Sequence, residues 1–187
     1  MKEIPKNIGI KELLTEFSPS LAKEAIQLSG AEQELKDTVF SLVVDVSGQK
    51  YSYLVKDGVD FDIREGDIDA PLVRVKISKD NLEKMMATNS LDMLLGIQSD
   101  LNRQKYNVLK SLKGSFTAEL LNDDGSTTTI ETTFNNTAEP KATFKMKTSD
   151  SIALVRKETN PVNLFMSGQM KIEGDMAFAM STQPLFT

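Results

Sequence analysis

The sequence predicts an α+β fold, a single mixed or antiparallel sheet with helices on one face. Three observations carry that prediction. The apolar residues follow a helical spacing up to about residue 37 and switch to strict alternation from Val39. A hairpin, a strand and a helix then follow one another, and the same order recurs further along. Neither unit can bury a sheet face alone, so a shared sheet under a common layer of helices is the packing that satisfies both. With 187 residues the chain suits one domain, 1–187.

The elements follow in order. Residues 1–37 read as helices: Ile8, Ile10, Leu13, Leu14 and Phe17 share a face, and Leu21, Ala22, Ala25 and Ile26 resume it. Between them "SPS" predicts a break and a restart, because proline is tolerated in a first turn. Residues 38–97 form the first strand–helix unit. "VFSLVVDVSGQKYSYLV" is a hairpin turning at Ser47-Gly48, "LVRVKIS" is a strand, and "SKDNLEKMMATN" is a helix with Ser78 or Asp80 as its N-cap. Residues 98–113, "QSDLNRQKYNVLKSLK", read as a polar linker helix. Residues 114–187 form the second unit, with a hairpin turning at Asp124-Gly125 and then "ATFKMKTSDSIALVRKETN", a strand running into a helix.

The recurrence raises an internal duplication. At a shift of 71, "VRVKISKDNLEKMMATNSLDMLL" meets "FKMKTSDSIALVRKETNPVNLFM" without a gap, Val73 meeting Phe144 and Val75 meeting Met146. The hairpins need a shift of about 76, as a shorter loop in the second unit would require. Alternating strands also resemble one another without common origin, so the pattern alone leaves both readings open.

Composition removes several function classes. With no cysteine there is neither disulfide, thiolate nucleophile nor sulfur metal site. With no histidine the commonest general base and transition-metal ligand are missing, which removes Ser-His-Asp chemistry and histidine-ligated zinc or haem. A net charge of -5 argues against nucleic acid and anionic membrane surfaces. No apolar run approaches the ~18 residues of a membrane span, and "MKEIPKNIGIKELL" lacks the apolar stretch of a secretory signal. A cytoplasmic protein without stable membrane insertion is the expectation.

The remaining polar clusters suggest no catalytic or metal site and no cofactor. "DFDIREGDID" holds Asp60, Asp62, Asp67 and Asp69, but counting from Asp60 a calcium loop would need acid, glycine and glutamate where Arg64, Glu65 and Pro71 stand. It reads as a strand with a solvated face. Lys171, Glu173 and Asp175 could be drawn as an acid/base set, and read better as surface charge. The methionines are more telling. Met166, Met170, Met176 and Met180 crowd into "LFMSGQMKIEGDMAFAM", and Met85, Met86, Met93 and Met146 join them. Unbranched and polarizable, methionine suits a cavity for flexible aliphatic guests, and it equally fills an ordinary core.

Residues 146–183, "MKTSDSIALVRKETNPVNLFMSGQMKIEGDMAFAMSTQ", resemble the C-terminal half of the sterol carrier protein 2 (SCP2) family. The likeness lies in a strand, a helix closed by Asn160-Pro161, the bulky pair Leu164-Phe165, Gly168, an alternating strand Gln169 to Glu173, the turn Gly174-Asp175 and a last helix from Met176 to Gln183. It implies an SCP2-like fold enclosing an apolar tunnel, with Phe165, Met166, Met170, Ile172, Met176, Phe178 and Met180 at its lining and Gln183 as a polar contact. Met85 and Met86 are added as candidates from the first unit. The first unit departs from the family, because "GIQSDLNRQKYNVLKSL" stands where a glycine-framed strand would be.

Two functions stay in view: non-enzymatic binding, with or without transfer, of a lipid or other hydrophobic small molecule of fatty acyl or sterol type, and a structural or oligomerisation module whose core is filled.

Overall fold

The computed structural model describes Pro5 and residues 7–187, without the side chains of 97–99. Residues 1–4 and Lys6 of the expected helical segment 1–37 lie outside the described residues. Eight strands form one sheet: β1 (Val39–Val46), β2 (Gln49–Lys56), β3 (Asp60–Glu65), β4 (Val73–Ile77), β5 (Gly114–Leu121), β6 (Thr127–Phe134), β7 (Lys141–Lys147) and β8 (Lys171–Gly174). Their order across the sheet is β3-β2-β1-β4-β6-β5-β7-β8. β1 runs parallel to β4 and β5 to β7, and every other pair is antiparallel. The fold is α+β with a mixed sheet.

The period of two gives this sheet two unlike faces. Phe40, Leu42, Val44 and Val46 on β1 lie in register with Val55, Tyr53, Tyr51 and Gln49 on β2, and Leu42, Val44 and Val46 also with Val73, Val75 and Ile77 on β4. All but Gln49 are buried, and they continue through Ile130, Ala118, Phe144 and Ile172 into one apolar face. The opposite face carries Lys76 and Glu131, and Lys145 between Glu119 and Glu173, in ion pairs. Helices cover the apolar side.

The two halves share one topology. In each, a hairpin is followed by a strand parallel to the first strand and on its far side, β2-β1-β4 and β6-β5-β7. The registers agree in detail. Leu42 pairs with Val73 where Ala118 pairs with Phe144, offsets of 76 and 71, and Val44 with Val75 where Leu120 pairs with Met146. These are the two shifts seen in the sequence. The loop that differs is the one carrying β3, an edge strand with no counterpart between β6 and β7.

Three helical expectations need correction. The chain does not break at "SPS": α1 (Ile10–Glu12) passes through a π-helical turn, Leu13–Phe17, directly into α2 (Ser18–Ser29). Five residues beyond Leu14, Pro19 has no N–H to offer a π-type bond. The buried hydroxyl of Tyr53 donates to the Leu14 carbonyl instead, at 2.6 Å. The Ser78 hydroxyl caps α3 (Lys79–Ala87), accepting from the Asn81 N–H. Residues 98–113 are not one polar helix. α4 (Asp92–Ser99) ends there, and α5 (Arg103–Ser111), capped by Asn102, buries Lys105, Tyr106 and Leu109. Nor does Asn160-Pro161 close the preceding helix. α6 (Thr148–Val155) has already ended, and Lys157 is left-handed with φ 60°. Asn160 instead caps a new helix, α7 (Pro161–Met166), with Pro161 in its first turn.

β8 then leads through Gly174 into α8 (Met176–Ser181) and a 3-10 turn, Gln183–Phe186. Gly174 has φ 91°, and a side chain there would meet the Lys141 carbonyl at 2.5 Å. Asp175 accepts from the Phe178 N–H at 2.7 Å and starts α8. Among the described residues no helix is long and apolar enough to cross a membrane.

Candidate functional site

Between the apolar face of the second half and its helices lies a cavity of about 270 Å³. Its floor is Phe116 and Ala118 of β5, Phe144 and Met146 of β7 and Ile172 of β8. α6 contributes Leu154, α7 contributes Pro161, Val162, Phe165 and Met166, and Met170 follows. Ala179 and Met180 of α8, then Thr182, Gln183 and Phe186, close one side, and Met93 of α4 reaches in from the first half.

The space has an identifiable source. Read across the sheet, the inward row is Val46, Ile77, Ile130, Ala118, Phe144 and Ile172. Ala118 is the one small residue in that row. At the matching register of the first half stands Leu42, fully packed. The helix that follows shows the same contrast. Leu82 and Met85 are the fourth and seventh residues of α3, where Ser151 and Leu154 hold those places in α6. In the first half Leu13, Leu14, Ile26 and Leu35 join Leu42 and Leu82 in a filled core.

Phe116 organises the inner end, its ring 5.4 Å from Phe144, 5.8 Å from Phe134 and 6.4 Å from Phe186 between centroids. The mouth is apolar too: Val162, Phe165 and Met180 are exposed, and Met166 is 78% exposed. Among the described residues only Thr182 and Gln183 bring polar side chains to the lining. The Thr182 hydroxyl is spent on the Ala179 carbonyl at 2.7 Å. The Gln183 amide makes no hydrogen bond among the described residues, which leaves it available to a guest.

Charged groups stand behind the inner end. Lys105, 5% exposed, donates to the Asp100 carboxylate at 2.5 Å and to the Leu185 carbonyl at 2.9 Å, and Lys157 reaches Asp100 at 3.0 Å. Burial pushes the Asp100 carboxyl up, but the hydrogen bonds from Lys105 and Lys157 outweigh it and hold the group below its ordinary range. Buried Asp92 accepts from Arg156 at 2.9 Å. These pairs fasten α4, α5, α6 and the 3-10 turn to one another.

Of the residues expected at the lining, the structure brings together Phe165, Met166, Met170, Ile172, Met180 and Gln183. Met85 is buried in the first half, Met86 packs at the margin of the core, and neither lines the cavity. Met176 and Phe178 do not line it either. Phe178 stands about 200° around α8 from both Met176 and Met180 and so faces away from them, whereas Met176, one turn before Met180, is exposed and outside the lining. Phe178 is buried against Phe134, 6.4 Å away, and over Gly114. Met93 and Met146, noted in the sequence only as further methionines, also line it, and Phe116, Ala118, Leu154, Phe144 and Phe186 are the lining residues the sequence did not single out. An alanine at an otherwise bulky inward position was the one available signal.

The acidic groups set aside above are engaged elsewhere. Asp67 bonds Lys50 and Arg74, which pull its carboxyl down to about 2. Glu173 pairs with Lys145 at 2.9 Å on the polar face, while Asp175 caps α8, so the two do not form a joint site. Among the described residues no group of three or more carboxylates is placed to share a metal ion.

Residues 96–187 match the SCP-2 sterol transfer family, a span that takes in every lining residue but Met93. Comparison with curated proteins finds no match. Among solved structures the chain is similar to a UbiJ-SCP2 ubiquinone synthesis protein, at 14% identity over 96% of this chain and 93% of that one, with a TM-score of 0.29. It is similar to a stereoselective inverting sec-alkylsulfatase from Pseudomonas sp., at 11% identity over 83% of this chain and 14% of that one, with a TM-score of 0.24. Sterol carrier protein 2 from Yarrowia lipolytica, in its apo form, shows 14% identity over 95% and 83% of the two chains and a TM-score of 0.23.

Proposed function

We propose that this chain, whose residues 96–187 match the SCP-2 sterol transfer family, binds one lipid or other hydrophobic small molecule in its cavity without chemical conversion. The observation that carries this reading is the cavity itself, about 270 Å³ of space lined almost wholly by apolar side chains. A void of that size among packed side chains forfeits their contacts, and a guest restores them. Flexible methionines at 93, 146, 166, 170 and 180 adapt the wall to guests of different shape. Gln183 gives such a guest one polar contact, suited to a carbonyl, hydroxyl or carboxyl group.

The guest class is a fatty acyl chain or a sterol-like molecule, carried by a protein of the cytoplasm. The apolar mouth at Val162, Phe165 and Met166 fits passage of such a molecule to and from other apolar surroundings. Organic extraction of the purified protein, followed by loading with fatty acids and sterols under native mass spectrometry, tests the reading. One guest per chain is expected, and a folded protein that takes up neither class overturns it.

A further inference from the structure

Three voids meet at two side chains. Met93 and Phe186 line the main cavity and also two small voids of about 20 Å³ each beyond it. One small void is bordered by Asp100, Lys105 and Lys157 and is charged. The other lies over Val75, Leu94 and Ile130 at the middle of the sheet and is apolar but for Thr132. Phe116 and Ala118 line both this apolar void and the main cavity, so the floor runs unbroken beneath Phe186.

We propose that Met93 and Phe186 form a movable partition that sets the length of the aliphatic chain the protein accepts, with the far end of a longer chain passing over Ala118 into the void beside Leu94 and Ile130. This rests on the binding reading above. The main cavity of about 270 Å³ holds about nine methylene groups, taking each as roughly the size of a water molecule at ~30 Å³. A longer chain must leave through the mouth or displace the partition. Both side chains suit displacement. Met93 is unbranched and half-buried, and Phe186 is half-buried on a turn of four residues. Phe186 meets the Phe116 ring edge-on, with the centroids 6.4 Å apart. The route has one direction: the void beside Lys105 would strip water from charged groups, whereas the one over Ile130 offers apolar walls. Ala118 is what keeps that route open, since a leucine there, as at position 42, would block it.

The test is native mass spectrometry of the whole chain against an equimolar series of saturated fatty acids, with melting curves confirming that each variant is folded. Phe186→Ala is expected to move the preferred length up by about four carbons, the phenyl ring removed and the apolar void together supplying about four methylene volumes. Met93→Ala moves it up by less, Phe186→Trp moves it down, and Leu28→Ala on the exposed side of α2 leaves it unchanged. Identical length profiles for the wild type, Phe186→Ala and Phe186→Trp overturn the partition and leave the binding reading standing. A folded wild type that takes up no chain of any length overturns both.

Discussion

Lys105 on α5 donates from its buried ammonium to the main-chain carbonyl of Leu185, at 2.9 Å and across 80 residues of sequence. The bond ties the 3-10 turn that carries Gln183 and Phe186 to a helix outside the second sheet unit. The wall of the cavity is thus held from the segment that joins the two halves. Lys105→Met keeps most of the side-chain bulk and removes the bond, and is expected to lower unfolding stability by about 1.5–3 kcal/mol, the range for hydrogen bonds to charged groups. Urea denaturation measures it; a loss below about 0.5 kcal/mol would mean the turn is held by packing alone.

Acid should loosen the same joint. The Asp100 carboxyl lies below its ordinary value of 3.8, since the bonds from Lys105 and Lys157 outweigh burial. A depressed carboxyl contributes stability that is fully present above its unfolded-state value and is lost as pH falls through the folded one. Asp67, held at about 2, acts in the same sense. Stability is therefore expected to decline from about pH 4 toward pH 2. Asp100→Asn, less stable than the wild type at pH 7, should converge with it over that window. A difference that stays constant from pH 7 to pH 2 would remove Asp100 from the explanation.

The methionines should divide by position. Met170 is 3% exposed and Met166 78%. Truncating Met170 to alanine is expected to cost about 2–5 kcal/mol, as for a buried methionine. Met166→Ala should change stability by no more than about 0.5 kcal/mol, as at an ordinary surface position. Equal large losses at both positions, read by urea denaturation, would place Met166 in a covered interface.

Gly114 is the backbone's closest constraint on the site. Its φ is 129°, and a β-carbon there would lie 2.4 Å from the Pro140 carbonyl and 2.7 Å from the Phe178 ring. Gly114→Ala combines backbone strain with overpacking and should cost about 2–4 kcal/mol, visible as a lowered melting temperature. A melting temperature within a degree of wild type would show that Phe178 and α8 shift freely.

What the sequence disclosed follows from what periodicity encodes. Alternation says which residues face the core, so the offsets of 76 and 71 already contained the pairings of Ala118 with Phe144 and Leu42 with Val73. Periodicity does not say whether the space above an inward residue is filled. Phe116 and Phe144 are therefore indistinguishable in the sequence from plain core, and Met85 and Met86, on the helix of the filled half, from lining. The ends of α6 and α7 were misread because proline after asparagine serves to end one helix or to begin the next. Only the capping bond from Asn163 to Asn160 decides between them. The π-turn was hidden for a similar reason, since the donor that takes up the Leu14 carbonyl is Tyr53, 39 residues away.

The central claim is that the second half keeps open, over Ala118, the space that leucine fills in the first, and that a hydrophobic guest occupies it. Ala118→Leu tests this most directly, by native mass spectrometry with a saturated long-chain fatty acid and a melting curve of the guest-free protein. The expected result is a one-to-one adduct in the wild type, its loss in Ala118→Leu, and a guest-free melting temperature in the variant at or above that of the wild type. Equal occupancy in both proteins, or no adduct in a folded wild type, would contradict it.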